Sequence, residues 1–360
     1  MPDVLIEGDN PYRTRRASLL AEDGDLYLYL SALSGTDGDA DSVDAPTMSA
    51  VWVANLGPAP AEFQPGGEYE IGRPPIMGRD GTVFPRGCPP PNGTPELVWF
   101  EEGDGVALVD ADGILAVIPG WGGKARFSGY ARHCRIQTPL AWPLWPEAVA
   151  ALDQKVAAAR AFWAWRLSDG WSEVESTGLA HLDARLGPRE ALWRVDGGSF
   201  PEMSASRHRL RGDAVWVTST TGLSAQRMPQ VDQFVSSPAT RIELAVARRT
   251  DADQVRDAIV GPASIPFSRM TWLGEGHVVD GQSETNTSLG HDVAGVLLSA
   301  NPPPDAALSI PDLSGLRRRG EAVTWLWVLA MDEATLALAK AKGSKAALDA
   351  LASAGRSWIQ

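Results

Sequence analysis

The stretch from Ala322 to Gly343, AVTWLWVLAMDEATLALAKAKG, decides the fold prediction. It opens with a nearly continuous apolar run, which is typical of a central strand covered on both faces. Asp332 then occupies the N-cap position of a helix whose apolar stripe includes Leu336 and Ala339, and Gly343 ends that helix. A buried strand followed at once by a capped helix indicates a domain that mixes strands and helices.

Further strands precede this strand and helix in the second half of the chain. Four segments are rich in β-branched and aromatic residues and are bounded by turn residues: ALWRVD (191–196), DAVWVTST (213–220), RIELAVARR (241–249) and VAGVLLSA (293–300). Thr250 is expected to cap a short helix that runs through Val260, and Ser344 is expected to cap a last short helix.

The first half is richer in predicted strands than in helices. Strands are expected at 26–31 and 48–56, and the runs ELVWF, GVALVD and GILAVIP predict an antiparallel meander over 96–118. The strongest helix pattern covers 146–167, where apolar residues from Val149 to Trp163 recur at steps of three and four. A second helix is expected to begin with Ser172 as its N-cap and Glu175 three places on.

These elements predict the fold class α+β, with mixed and antiparallel sheets and flanking helices in two parts. The expected division is an acidic β-rich N-terminal domain (1–145), a helical connecting region (146–204) and an α+β domain (205–360). The chain has 360 residues, of which 44% are hydrophobic, so it can build cores without disulfides or a structural metal. Its two cysteines, Cys88 and Cys134, have neither disulfide-framework nor zinc-site spacing.

The net charge of -13 excludes nucleic acid and anionic membranes as partners, since both need a basic face. Residues 1–140 carry 20 acidic and 10 basic residues, so most of the negative charge lies in the first part of the chain. An acidic N-terminal domain favours a basic protein partner, which it would attract by electrostatic steering. No signal peptide pattern opens the sequence, and we expect a cytoplasmic protein without a cofactor.

Enzyme chemistry has weak support in the motifs. The GLSAQ segment around Ser224 resembles a nucleophile elbow but has Gln226 where the second glycine is required. A hydrolase using Ser224, or a metal-dependent enzyme using His277 and His291, remains an alternative. Asp37, Asp39 and Asp41 match only the first ligand spacings of a calcium loop, and a solvated acidic loop is favoured.

Tryptophan is abundant, with 14 residues. Trp163, Trp216, Trp325 and Trp327 lie in periodic or strand segments and are predicted to be in the core. Trp121 and Trp171 lie beside glycines in predicted loops, where exposed rings could bind a protein partner or stack on a sugar. A carbohydrate-binding protein is therefore a second alternative.

An ordered set of segments in the second half resembles the Suppressor of fused domain. The segments are VWVTSTTGLSAQRM (215–228), RIELAV (241–246), FSRMTWLGEGH (267–277), AGVLLSA (294–300) and TWLWVLAMDEATLALAKAKG (324–343). The resemblance covers about 205 to 355. The first half is similar to the extension of some bacterial members, in the stretches Val98–Phe100 with Gly103 and Asp104, Ile118–Trp121, and Gly129–Tyr130.

The resemblance implies a non-enzymatic protein-binding module. The animal regulator of this family pairs a transcription-factor peptide as an added strand and clamps it between two domains, and bacterial relatives are proposed to be immunity proteins that neutralise toxins. This chain departs from the animal pattern because it lacks the second, C-terminal clamping domain and has Gly276 directly before His277, with Glu275 as the nearest acid. The N-terminal domain would then take the place of that C-terminal domain in clamping a partner.

The candidate partner-binding residues are Trp272, Leu273, Glu275 and His277 in the turn, together with Trp121 from the first half. A structural role for the turn is the competing hypothesis, in which Trp272 packs, the glycines turn the chain and His277 caps a loop. Arg241 and Glu243 are expected to form a strand-edge ion pair or buried polar support.

Overall fold

The computed structural model describes residues 2–33, 47–65, 74–124, 127–196, 200–210, 214–233, 239–249, 255–280, 289 and 292–360. The chain divides into two compact units, Met1–Trp165 and Arg166–Gln360. No helix within the described ranges is long and apolar enough to cross a membrane.

The first unit begins with a four-stranded antiparallel sheet. Its strands follow one another in chain order: β1 (Asp3–Asp9), β2 (Arg15–Glu22), β3 (Asp25–Ala32) and β4 (Thr47–Asn55). The strands predicted at 26–31 and 48–56 are confirmed as β3 and β4. The sequence analysis did not identify β1 and β2, whose side chains are mostly exposed or half-buried and do not form a strong apolar run.

A second, five-stranded sheet contains the predicted meander. Its strands are β5 (Glu96–Trp99), β6 (Val106–Asp110), β7 (Gly113–Ile118), β8 (Tyr130–Ala131) and β9 (Trp142–Pro143). The first three strands pair antiparallel, which confirms the meander, whereas β8 and β9 pair parallel. Buried residues of both sheets, including Leu19, Leu28, Trp52 and Leu108, form one core cluster, so the two sheets pack face to face.

Helix α1 (Pro146–Arg166) covers the other face of the five-stranded sheet. The predicted stripe is confirmed, because Val156, Ala159 and Trp163 are all buried. The indole nitrogen of Trp163 donates a 2.9 Å hydrogen bond to the carbonyl oxygen of Trp99 on β5. Fixed apolar spacing along α1 therefore sets which face of the helix meets the sheet.

The second unit is built on an eight-stranded mixed sheet. Its strands are β10 (Arg189–Arg194), β11 (Ser204–Arg209), β12 (Trp216–Thr221), β13 (Arg241–Arg248), β14 (Val278–Asp280), β15 (Gly295–Ser299), β16 (Arg317–Arg318) and β17 (Glu321–Met331). The order across the sheet is β10-β11-β12-β13-β17-β15-β14, and β16 pairs with one end of β17. Only β13 and β17 pair parallel among the described pairs of this sheet.

Within the described part of this unit lie four α-helices: α2 (Gly170–Leu186), α3 (Val255–Ser268), α4 (Glu333–Lys342) and α5 (Ser344–Ser353). Strand β17 lies between β13 and β15, as its apolar run predicts. The Asp332 carboxylate accepts a 2.8 Å hydrogen bond from the Thr335 amide, which confirms the predicted N-cap of α4. Together, the dispersed helices and mostly antiparallel or mixed sheets confirm the α+β class.

Several local predictions are wrong. Helix α2 begins at Gly170, with Asp169 at the N-cap position, so Ser172 is not its N-cap and Trp171 lies in a helix. The last helix begins at Ser344 itself, after Gly343. Helix α3 does not end at Val260 but continues through Pro262 and Pro266 to Ser268. Its buried residues, among those described, are Val255, Ala258, Ile259, Pro262, Ala263, Pro266 and Phe267, a spacing that presents one continuous helical face to the protein.

The predicted tryptophan core is confirmed for Trp163, Trp325 and Trp327. Trp216 is half-buried instead, because it lies at the start of β12 beside the outer strands β10 and β11. Thr250, which was predicted to cap a helix, and the aspartates at 37, 39 and 41 lie outside the described residues.

Candidate functional site

The turn from Trp272 to His277 leads from α3 into β14 and is held by its own backbone. The amide of His277 donates to the Gly274 carbonyl oxygen over 3.1 Å, and the amide of Gly276 donates to the Leu298 carbonyl oxygen on β15 over 2.8 Å. Gly276 has a φ of +79°, in the left-handed region that side chains disfavour. The glycine pattern of the turn therefore has a structural cause.

The rings of Trp272 and His277 pack against each other, with centroids 4.2 Å apart and planes inclined at 57°. Burial lowers the pKa of His277 below its ordinary value, although a hydrogen bond to the backbone of Trp272 opposes that shift. The lowered pKa favours the neutral form of the imidazole, which lies half-buried beside the indole.

Glu275 and Leu273 support the turn in different ways. The exposed Glu275 carboxylate accepts a 2.8 Å hydrogen bond from the Ser299 hydroxyl and another from the Ala300 amide, so it ties the turn to the end of β15. Leu273 is only 4% exposed, and its amide faces the sulfur of Met228. Both residues have a structural role, and a further contact with a partner remains a prediction.

A groove of about 660 Å³ opens beside this turn. One wall is the outer face of α3, where Ser264 and Ser268 are exposed, and the other wall is β14. Trp272, Leu273 and His277 also line the groove. The structure thus brings three of the predicted partner-binding residues to one concave surface.

Strand β14 forms an edge of the eight-stranded sheet, and within the described ranges it pairs with β15 alone. The Leu298 amide donates to the His277 carbonyl oxygen while its own carbonyl accepts from Gly276, so two residues oppose one in a β-bulge. Beyond the bulge, hydrogen-bonded and non-hydrogen-bonded pairs alternate. Val279 consequently bonds to β15, whereas Val278 and Asp280 direct their backbone groups away from it.

The Gly-Leu-Ser turn has a different environment. The Glu243 carboxylate, 1% exposed, accepts from the hydroxyls of Ser224 and Thr220, both at 2.6 Å, and from the amides of Gly222 (2.9 Å) and Ser224 (3.0 Å). Ser224 has no accessible surface. A hydroxyl that faces a carboxylate and is closed to substrate does not have the surroundings of a catalytic nucleophile.

Arg241, also 1% exposed, stabilises the other side of this turn. Its Nη1 donates to the carbonyl oxygens of Ser224 (3.2 Å) and Ala225 (3.1 Å), and its Nε donates to Glu321 over 2.7 Å. Strand β13 is internal to the sheet, so Arg241 and Glu243 are buried polar support and not a strand-edge ion pair.

The arrangement that a metal-dependent enzyme would need is not assembled in the part of the chain described. No group of three or more His, Cys, Asp or Glu side chains among the described residues could hold a metal ion. His291, one member of the predicted pair, lies outside the described residues.

Trp121 lies in the first unit, in a cluster of aromatic rings. It stacks on Phe127 at a centroid distance of 4.4 Å, and Phe127 meets the edge of Trp142 at 4.9 Å. Trp142 is half-buried and its neighbour Trp145 is 45% exposed. Trp121 itself is half-buried, and its role in binding a partner stays a prediction.

The α3 wall of the groove was not predicted. The expected helix ran only through Val260, so Ser264 and Ser268 were not placed on a helix. The spacing of buried residues from Ala258 to Phe267 was the signal that could have identified it. Both serine hydroxyls donate 2.8 Å hydrogen bonds to carbonyl oxygens about one turn earlier, those of Gly261 and Ser264.

A mixed sheet with a bulged edge strand, a Gly-Leu-Ser turn closed on a buried glutamate and a glycine turn beside a helix groove define an α+β domain of the kind predicted. The family model of the Suppressor of fused protein (SUFU) matches residues 196–360. Residues 196–360 therefore carry a Suppressor of fused domain, as the sequence predicts. No curated protein sequence matches this chain.

Solved structures also resemble the chain. A SUFU (suppressor of fused protein) homolog from Neisseria gonorrhoeae FA 1090 is 11% identical, with a TM-score of 0.38, over 52% of this chain and 94% of that one. The structure described as the Sufu-Fu complex is 11% identical, with a TM-score of 0.35, over 49% of this chain and 83% of that one.

Proposed function

We propose that this chain is a non-enzymatic protein-binding module that takes an extended segment of its partner along the edge of β14. The outward backbone groups of Val278 and Asp280 would pair with the segment, and the groove beside them would receive alternate side chains. The observation that carries this proposal is the groove of about 660 Å³ between α3 and β14, lined by Trp272 and His277. The match of residues 196–360 to a family that implies binding supports it.

The surface chemistry of the groove favours an apolar or aromatic side chain of the partner. The half-buried indole of Trp272 offers a large apolar contact beside the His277 ring, and tryptophan is a frequent hot-spot residue at protein interfaces. Glu275, exposed in the same turn, adds a negative charge between the two ring-bearing residues in sequence. A segment that combines an aromatic or aliphatic residue with a nearby basic residue fits these features.

We propose further that the partner is a basic toxin which this protein neutralises by occluding it. The support is the acidic first part of the chain, with 20 acidic against 10 basic residues over 1–140, which would speed association with a positively charged protein. A steered association rate falls as ionic strength rises, whereas the dissociation rate changes little. Trp121 and its aromatic neighbours are the proposed contact surface of the first unit.

The test is capture from the source cell extract with the wild-type chain and with matched variants. Ser264→Trp fills the groove from the helix side, while Ser353→Trp makes the same change on an exposed helical serine elsewhere. Both serines donate to a carbonyl oxygen of the preceding turn, so the two changes are alike locally. We expect the wild type and Ser353→Trp to capture one stoichiometric protein and Ser264→Trp to lose it.

Inhibition distinguishes a toxin from any other partner. The captured protein, purified separately, should lose its activity when the wild-type chain or Ser353→Trp is added, and keep it with Ser264→Trp. A captured protein that binds all three chains equally would contradict the groove. A captured protein that remains fully active in the complex would contradict neutralisation.

Carbohydrate binding is a second candidate because of the aromatic surface around Trp121, Trp142 and Trp145. Partly exposed indoles can stack on sugar rings, and Trp145 is the most exposed tryptophan. Titration of the intrinsic fluorescence with soluble oligosaccharides tests this candidate. A saturable change that Trp145→Ala abolishes would favour it over a protein partner for the first unit.

A further inference from the structure

Strand β10 forms the other edge of the eight-stranded sheet, opposite β14. Among the residues that the structure describes, it pairs with β11 alone. Its side chains alternate along the last part of the strand, with Glu190, Leu192 and Arg194 exposed and the two residues between them half-buried. Leu192 is 44% exposed in the middle of this edge.

The edge has few of the features that block pairing with another strand. Proteins protect sheet edges with prolines, charged side chains (above all lysine), short strands or bulges. Strand β10 contains no proline and no lysine, its charged side chains have both signs, and its register shift lies at Glu190, near one end. An unblocked edge with an exposed leucine at its centre is a template for a further strand.

The backbone of the edge is oriented for such pairing. The Val195 amide donates a 2.9 Å hydrogen bond to the Met203 carbonyl oxygen, so Val195 is turned towards the neighbouring chain segment. Hydrogen-bonded residues alternate with non-bonded ones along an antiparallel pair. The backbone groups of Trp193 and Ala191 therefore also face β11. Leu192 and Arg194 therefore direct their amide and carbonyl groups outward.

We propose that β10 pairs antiparallel with β10 of a second copy of this chain, with Leu192 of each copy on the two-fold axis. In this register Glu190 of one copy lies opposite Arg194 of the other, and the symmetry makes that pair occur twice. Leu192 meets Leu192, and Ala191 lies opposite Trp193. A shift of the register by one residue in one direction would place Arg189 opposite Arg194. A shift in the other direction would remove both Glu190–Arg194 ion pairs.

The charged side chains are already held along this edge. Arg194 donates to the Asp196 carboxylate over 2.6 Å and lies over the Trp171 ring, 5.0 Å from its centroid. One oxygen of Glu190 accepts a 2.9 Å hydrogen bond from the Trp216 indole. Pre-positioned opposite charges reduce the entropy lost on pairing.

The association should be weak and dependent on concentration. A single short strand pair buries less area than the roughly 1,200 Å² or more of stable interfaces. Sedimentation of the full chain over a wide range of concentrations should therefore show a reversible monomer–dimer equilibrium. A monomer throughout that range overturns the proposal.

Two exposed leucines provide a matched pair of variants. Leu192→Lys places a charge on the two-fold axis and should weaken self-association about tenfold or more. Leu167→Lys makes the same change at a residue that is 63% exposed in the turn after α1, and it should leave the equilibrium unchanged. Dimers that tolerate Leu192→Lys would use another surface and overturn the proposal.

Cross-linking tests the register. Residues directly opposite in a hydrogen-bonded antiparallel pair have Cα atoms about 5.5 Å apart, within the range of a disulfide. Leu192→Cys should form a covalent dimer on mild oxidation, whereas Ala191→Cys should not, because its counterpart lies opposite position 193. The wild type, with Cys88 and Cys134, is the control for native thiols. Cross-linking at 191 but not at 192 would contradict the register.

Discussion

The hydroxyl of Ser224 donates a 2.6 Å hydrogen bond to the carboxylate of Glu243, and neither side chain is more than 1% exposed. The carboxylate receives three further hydrogen bonds from the same turn and from β12. Four donors around one buried carboxylate make this turn a fixed element of the domain, and they explain why Gly-Leu-Ser and Arg-Ile-Glu occur together in the sequence.

Removing the Ser224 hydroxyl should therefore affect stability. Ser224→Ala deletes one of four donors to a buried charge, and we expect the free energy of unfolding to fall by about 1–2 kcal/mol in urea denaturation. Glu243→Gln, which leaves an amide group facing several donors, should lower it by about 3 kcal/mol or more. Ser353→Ala, at an exposed serine, is the control and should stay within about 0.5 kcal/mol of wild type. A fully stable Ser224→Ala would contradict the structural role.

Gly276 tests the glycine turn beside the groove. Gly276→Ala adds a Cβ at a φ of +79° that would meet the Ser344 side chain, while Gly355→Ala adds one at +72° with nothing within 4 Å. In both variants the free energy of unfolding should fall by about 1 kcal/mol, because alanine is strained in the left-handed region. Only Gly276→Ala should lose more, because of the clash with Ser344. The difference between the two unfolding free energies measures that clash, and Ser344→Gly should remove it. Equal losses would show that the turn accommodates the added group.

Asp25 gives the first unit a pH-dependent stability. Burial raises the pKa of this carboxyl from 3.8 to about 6, although hydrogen bonds from Met77, Trp52 and Tyr27 oppose the shift. Because the folded state holds the proton more tightly, this contribution to stability is greatest below about pH 4 and is lost as pH rises towards 6. Between pH 4 and pH 6, the free energy of unfolding of Asp25→Asn should therefore rise by about 2–3 kcal/mol relative to that of the wild type. The pH dependence of urea unfolding for the two proteins measures it, and a constant difference would contradict the assignment.

The elements that could be predicted from sequence are those with strong local signals. The apolar run of β17, the Asp332 cap and the meander of β5–β7 each combine a clear period with a turn or cap residue. Strands β1, β2 and β11 were not identified although they pair with strands close in sequence, because none of them has a long apolar run or a clear alternation of apolar and polar residues. The continuation of α3 through two prolines also depends on tertiary packing, which overrides local helix propensity.

The candidate site also has one part that could be predicted from sequence and one part that could not. The turn from Trp272 to His277 carries its own signal in the glycines and in the aromatic pair, so its residues could be named from sequence. The groove needs α3 and β14 together, and no local pattern connects a helix face at Ser264 and Ser268 with a strand ten residues later. That β14 lies at the edge of the sheet depends on the strand order, which is a property of the whole domain.

Amide hydrogen exchange of Val278 in the presence of the captured partner tests the central claim most directly. This amide points away from β15 in the unbound protein, so strand addition would give it a new hydrogen bond, whereas the Val279 amide already has one. We predict that exchange at Val278 slows strongly on binding, together with that at Asp280, and that exchange at Leu192 does not. A partner that binds at full affinity without protecting Val278 would contradict strand addition at β14.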